Sequence, residues 1–270
     1  RLYIVDVADP QNASILSSID LQGDLVDSRL VGNVLYAVGA QVDWYYGWAE
    51  PADGVVSNNS KLVKSRTGGT WVTSVNCANP QNIFVADEVD FDGTGTEIHA
   101  TSEAVFVSAP SWSTNTTQVT YVDISDPAGT MAVRGSVVVP GQVNDRFKMD
   151  YWNGVLRIVS YSWSNSRHTY LTTLDCSNPD SLSILAEYEF DRATGETLFA
   201  TRFDGARGYL VTYFVVDPLF IVDLADPTSP ALVGELEVPG WSTYIEPLGE
   251  RLLALGVDDT GGTLRVCVSL

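Results

Sequence analysis

One phrase recurs along this chain and limits what it can fold into: an apolar strand running into Asp-x-x-Asp-Pro. Its clearest copy is Leu219-Phe-Ile-Val-Asp-Leu-Ala-Asp-Pro227. Further copies end at Pro10, Pro80, Pro127 and Pro179, with Asn replacing one or both Asp residues in the copies at Pro80 and Pro179. A repeated unit of this size cannot bury its own apolar face, so neighbouring copies must stack and share a core. The Asp and Asn side chains cap local backbone and the proline presets the turn leaving the strand, which gives these carboxylates a structural rather than a chemical role.

Four short strands belong to each unit. After the copy at Pro10 come Ile15 to Leu21, a turn at Gly23, a strand through Arg29 to Val31, a turn at Gly32-Asn33, and Leu35 to Val38. The β-branched and aromatic content, the period-2 alternation and the Gly/Pro/Asn punctuation are strand and turn signals, and no segment holds a 3.6-residue period. Almost no helix is expected. Subtracting successive proline positions gives spacings of 70, 47, 52 and 48. A four-stranded unit of roughly 40 to 50 residues has the length of a β-propeller blade. The first spacing therefore carries an insertion, placed at about residues 41–69.

The expected fold is all-β, a propeller of four-stranded antiparallel blades forming one domain over residues 1–270. By analogy with propeller blades, the strand holding Arg29 is innermost (a), Leu35 to Val38 is b, the Asp-Pro strand is c, and Ile15 to Leu21 is outermost (d). Strand counting then gives a c-d pair, four complete blades and a final a-b-c set, about five repeat units in all. The sequence opens inside a strand at Arg1, as a processed or excised chain would; joining its ends would close a five-bladed ring with one redundant strand, and the expectation is instead a portion of a larger ring of roughly six to eight blades.

Composition removes several function classes. Thirty-four acidic residues against 15 basic ones give a net charge of −19, which repels phosphate backbones, so nucleic acid is not an expected partner. No apolar run approaches the roughly 20 residues of a membrane helix, so no membrane insertion is expected. Cys77, Cys176 and Cys267 sit inside apolar strand patterns and read as small buried hydrophobes rather than as disulfide partners or metal ligands. Asp90-Phe-Asp-Gly-Thr-Gly-Thr-Glu97 resembles the start of a calcium loop but lacks its third acidic ligand and terminal spacing, and it reads as a tight d-to-a turn. Asp258-Asp259-Thr-Gly-Gly262 reads as a solvated loop. No metal and no cofactor are expected. Asn12, Asn58 and Asn115 open Asn-x-Ser/Thr sequons, a pattern common by chance.

Two runs carry a family resemblance. Asn144-Asp-Arg-Phe-Lys-Met-Asp-Tyr-Trp-Asn-Gly-Val-Leu-Arg157 and Val216 to Pro227, continuing through Gly234-Glu-Leu-Glu-Val-Pro-Gly240, resemble a secreted bacterial β-propeller family distantly related to WD repeats, with units similar to the LVIVD repeat. The resemblance spans nearly the whole chain and is weakest at the copy ending at Pro80. It implies a propeller exported to the cell envelope or beyond, and it brings no activity with it.

The strand order sorts the loops. Adjacent strands are antiparallel, so b-to-c and d-to-a connections share one face of the disc and the Asp-Pro turns take the other. The b-to-c connections carry Trp44, Tyr45, Tyr46 and Trp48 in the insertion, Trp112 and Trp163, while Trp241 lies in a d-to-a connection; five of the seven tryptophans thus share a face. Loop aromatics of this kind form either a small satellite core or a recognition platform, and Trp163 and Trp241 could also wedge between blades. The platform reading predicts a non-catalytic binding module for a glycan or protein partner.

A second constellation follows from aligning the innermost strands on their turns. Arg29, His99, Asp150, Arg202 and Glu246 then occupy equivalent positions, one per blade. As a ring of mixed sign they would pair, Asp150 with Arg202 and Arg202 with Glu246, holding blades together. The alternative is a hydrolase or lyase in the channel. There His99, Asp150 and Glu246 would move protons and Arg29 and Arg202 would stabilise charge, although no nucleophile is placed beside them. A purely structural propeller is the third reading.

Overall fold

The computed structural model describes residues 1–41, 69–92, 97–164, 166–213, 218–237, 240–258 and 264–270. Strands β1 (Leu2–Asp6) and β2 (Ser14–Ile19) form a two-stranded sheet. Four four-stranded sheets follow. The first holds β3 (Asp24–Val31), β4 (Val34–Gln41), β5 (Gly69–Asn76) and β6 (Phe84–Asp92), and the second β7 (Glu97–Ala100), β8 (Ala104–Ser111), β9 (Thr116–Asp123) and β10 (Ala132–Pro140). The third holds β11 (Met149–Trp152), β12 (Val155–Ser164), β13 (Ser166–Asp175) and β14 (Ser183–Glu189). The fourth holds β15 (Thr197–Asp204), β16 (Arg207–Tyr213), β17 (Pro218–Asp223) and β18 (Ala231–Glu237). Strands β19 (Trp241–Leu248), β20 (Arg251–Asp258) and β21 (Arg265–Ser269) make a three-stranded sheet. All pairings are antiparallel and follow chain order within each sheet, as blades of a β-propeller do. Helix among the described residues is limited to single 3-10 turns at Pro10–Asn12, Arg146–Lys148 and Asp191–Ala193.

The Asp-x-x-Asp-Pro phrase performs the capping its chemistry predicts. Asp223 accepts from the Ala225 amide at 2.9 Å and Asp226 from the Thr228 amide at 2.9 Å. The Asn version is equivalent, with Asn76 accepting from Ala78 at 3.0 Å and Asn79 from Gln81 at 3.1 Å, because either side chain presents the same oxygen. These bonds hold the Asp226 carboxyl below its ordinary value, through Thr228, and the Asp175 carboxyl likewise, through Ser177.

The same turns dock each four-stranded sheet on the one before it. The Ser17 hydroxyl donates to the Pro80 carbonyl, Ser74 to Gly129, and Thr173 to Pro227, each at 2.6 Å. Between the second and third blades the Gly135 amide donates to Pro179 at 2.7 Å while Arg134 grips Asp180 through Nε and Nη2 at 2.7 and 2.9 Å. Close approach is what Gly129 permits: its φ is +102°, and a Cβ there would lie 2.9 Å from Ala86. Every c-d pair also carries a register shift near this turn, which adds local twist to the outer edge of the blade.

The core lies between sheets rather than within one. Val34, Tyr36 and Val72 of the first blade pack with Ile98, Val105 and Val122 of the second. Phe106, Val119 and Tyr121 pack with Leu156, Ile158 and Leu174, and Val159 and Leu171 with Leu210, Phe220 and Val222. Alternate residues of each strand therefore face opposite neighbours, which is why period-2 sequence segments become buried on both sides. Cys176 is buried and Cys77 and Cys267 are partly covered, and all three are free thiols. Burial pushes the Cys176 thiol up to about 11, so it is an inert apolar group at neutral pH.

Candidate functional site

The innermost strands bring the aligned residues around one channel. Arg29 on β3, His99 on β7, Asp150 on β11 and Arg202 on β15 line a common cavity of about 400 Å³, and Glu246 of β19 lies 3.6 Å from Arg202. Equivalent position in successive blades is sufficient to produce this convergence.

The pairing within the ring differs in part from the expected pattern. Arg202 does approach Glu246, but Asp150 pairs with Arg157 instead of Arg202. The reason is register: Asp150 and Arg157 are directly opposite on β11 and β12, so a cross-strand partner is nearer than any residue of the next blade. Arg157 donates through Nε at 3.0 Å and through Nη2 to Asp150, and through Nη1 to the Gly205 carbonyl. Its guanidinium also lies 5.2 Å from the Trp152 ring centroid and 4.9 Å from that of Phe203. Arg29 turns to Asp27 on its own strand at 2.6 Å.

The channel also receives residues that strand alignment missed. Asp145 caps a 3-10 turn by accepting from the Phe147 amide at 2.9 Å, and that turn projects Arg146 and Phe147 into the cavity. Phe147 lies under the Arg202 guanidinium, 3.6 Å from ring centroid to carbon, with Tyr244 at 4.5 Å from the same group. Lys148 is buried and pairs with Asp145. The available sequence signal was the Asp-capped Arg-Phe-Lys in a d-to-a connection, where a short turn would have sufficed.

Two groups beside this turn have displaced proton affinities. Burial, then repulsion from Asp27 and Asp145, pushes the Glu97 carboxyl up to about 7 against the opposing pull of Lys148 and Arg146. Burial holds the His99 imidazole below its ordinary value, partly offset by Asp150 and reinforced by Arg29, so it is neutral at pH 7. Among the described residues no cluster of three or more His, Cys, Asp or Glu side chains could hold a metal ion.

On the b-to-c face the aromatic residues separate. Trp112 and Trp163 stand on the tips of adjacent blades, 70% and 71% exposed, so Trp163 is not a wedge between blades. The Arg167 guanidinium lies 5.2 Å from the Trp163 ring, covering one side of the indole. The tips are tied together where Asn115 Nδ2 donates to Ser162 Oγ at 2.6 Å, engaging the nitrogen that a sequon would offer for glycosylation. Around Trp112, Thr114 bonds the Ser111 and Thr116 hydroxyls at 2.7 Å each. The side chain of Trp241, and all of Trp44, Tyr45, Tyr46 and Trp48, lie outside the described residues, as do Asn58 and residues 93–96 of the acidic turn. No described helix is long and apolar enough to cross a membrane.

Comparison with known proteins agrees with this architecture. The chain is 35% identical over 130 residues to an uncharacterized protein of Methanocaldococcus jannaschii, covering 46% of this chain and 20% of that protein. It is 33% identical over 137 residues to an uncharacterized protein of Archaeoglobus fulgidus, covering 50% of this chain and 21% of the relative. The matched stretch is thus about a fifth of each relative's length. The family model described as Beta propeller domain matches residues 1–268, and with the repeated blades and their shared channel it makes this chain a member of that family.

Proposed function

We propose that the chain is a non-catalytic recognition module that holds a glycan against the b-to-c face. The observation that carries this reading is the exposure of Trp112 and Trp163 on neighbouring blade tips whose other residues are largely hydroxyl and amide side chains. A sugar presents an apolar C–H face and a rim of hydroxyls. An exposed indole with Ser, Thr and Asn beside it offers both complements. A protein partner would call for a contiguous apolar patch at the centre of its interface, whereas here each indole is set among polar groups. The ring charges support the same choice over acid–base catalysis, because Asp150 and Glu246 are engaged by Arg157 and Arg202. Export to the cell surface, and kinship with the bacterial LVIVD-repeat propellers, belong to this reading through the sequence resemblance.

The test is affinity electrophoresis through native gels cast with cell-surface polysaccharides, comparing the unaltered protein with Trp112→Ala/Trp163→Ala. Retardation of the unaltered protein that the double variant loses is the expected result. Equal mobility of both proteins in every polysaccharide gel would sink the glycan reading.

A further inference from the structure

Five of the 15 basic residues of a chain with net charge −19, namely Arg29, Arg146, Lys148, Arg157 and Arg202, gather at the channel. We propose that the channel is a second binding site, distinct from the aromatic face, that takes a small organic polycarboxylate between Arg29, Arg146 and Arg202 with Phe147 as its apolar wall.

Three observations converge on this. First, the cavity of about 400 Å³ has the size of a small-molecule site and is lined by all three arginines together with His99, Phe147 and Phe203. Second, the arginines keep donor capacity. A guanidinium carries five N–H donors. Arg29 uses Nη1 on both Asp27 Oδ1 and the Ser28 carbonyl, at 2.6 and 2.7 Å. Arg202 uses Nη1 on the Thr201 carbonyl at 2.8 Å, while its Nε stands 3.6 Å from Glu246. Arg146 is 3.8 Å from Asp27, an ion contact beyond hydrogen-bond reach. Third, the acidic residue in the lining, Asp150, is neutralised by Arg157. Counting Asp27, Asp145, Asp150 and Glu246 against Arg29, Arg146, Lys148, Arg157 and Arg202 leaves the channel with one positive charge, inside an acidic molecule, while the neighbouring Glu97 holds its proton.

The ligand class follows from those groups. Planar guanidinium forks match carboxylate oxygens in pairs, and several forks spread around one cavity select a ligand with more than one carboxylate. The Phe147 and Phe203 rings supply apolar wall for a carbon skeleton, which inorganic phosphate lacks. Confinement in the channel and the surrounding negative surface disfavour a polyanionic polymer.

The experiment is isothermal titration calorimetry of the 270-residue chain with citrate, and in parallel with inorganic phosphate, in low salt at pH 6.5. Saturable citrate binding is expected, weakened roughly tenfold or more in Arg146→Gln and in Arg202→Gln and unchanged in Trp112→Ala/Trp163→Ala. Arg146 is half exposed, so its variant keeps the fold, which circular dichroism checks. Lack of citrate binding, or citrate binding equal in the unaltered protein and both arginine variants, would overturn the site. Phosphate binding as tight as citrate would overturn the ligand class. The glycan reading stands or falls separately, because its variants lie on the blade tips.

Discussion

Arg157 is fully buried, yet its charge is met on every side: by Asp150, by the Gly205 carbonyl, and by the rings of Trp152 and Phe203. Removing it strands a carboxylate and opens a hole between the third and fourth blades. Arg157→Ala is expected to destabilise the protein by about 3 kcal/mol in urea unfolding, whereas Arg157→Lys, which keeps charge but loses the fork, recovers only part of this. A loss within experimental error for the alanine variant would mean that the ring does not hold the blades. Glu97 is the second residue whose environment makes a measurable statement. Its folded carboxyl is pushed up to about 7, above the unfolded value, because it is half-buried beside Asp27 of β3 and faces Asp145, Arg146 and Lys148 of the 3-10 turn. The folded state therefore favours the proton. Stability from this group is full below the unfolded value of about 4.3, declines as pH rises to about 7, and is level above that. Glu97→Gln should leave stability unchanged near pH 4 and raise it at pH 8 by about 1 kcal/mol, a figure reduced for the side chain's contact with water. Urea midpoints at the two pH values check this, and an equal change at both would contradict it.

At the scale of the element, the Asp-Pro turn is both a cap and a clasp. The cap was legible in the sequence, since Asp and Asn at these offsets have one obvious use and the turns at Pro80 and Pro227 use them alike. The clasp was not, because nothing in a single repeat says which atoms of the neighbouring sheet its carbonyls will meet. Gly135 tests the clasp. A Cβ there would lie 2.8 Å from the Pro179 carbonyl oxygen and the Asp180 carbonyl carbon, both backbone atoms that cannot swing aside. Gly135→Ala should therefore cost about 1–3 kcal/mol by prising the second and third blades apart. Undiminished thermal stability in that variant would show that the contact is not tight in solution. The channel divides in the same way. Five equivalent positions could be aligned from strand and turn patterns, and four of them line one cavity while Glu246 approaches through Arg202. Which partner each charge would take depended on cross-strand register, and the Arg146–Lys148 turn could not be placed because strand periodicity says nothing about a connection that folds inward.

The whole molecule has its cores between blades, so each sheet depends on its neighbours, and the two faces of the disc carry different connections. One face carries the clasps. The other carries the connections that strand packing does not constrain, and there Trp112 and Trp163 remain exposed among hydroxyl and amide groups. Under the proposed glycan-binding reading, the acidic composition, interlocked blades and polar aromatic face would suit contact with a neutral polymer. The most direct measurement of that claim is a tryptophan-fluorescence titration with neutral cell-surface oligosaccharides, run on the unaltered protein, on Trp112→Ala/Trp163→Ala and on Trp44→Ala/Trp48→Ala. A saturable change is expected in the unaltered protein and at least a roughly tenfold weaker response in the blade-tip variant, with the insertion variant showing whether residues 41–69 extend the platform. An oligosaccharide response that survives unaltered in the blade-tip variant, or no response from any of the proteins, would contradict it.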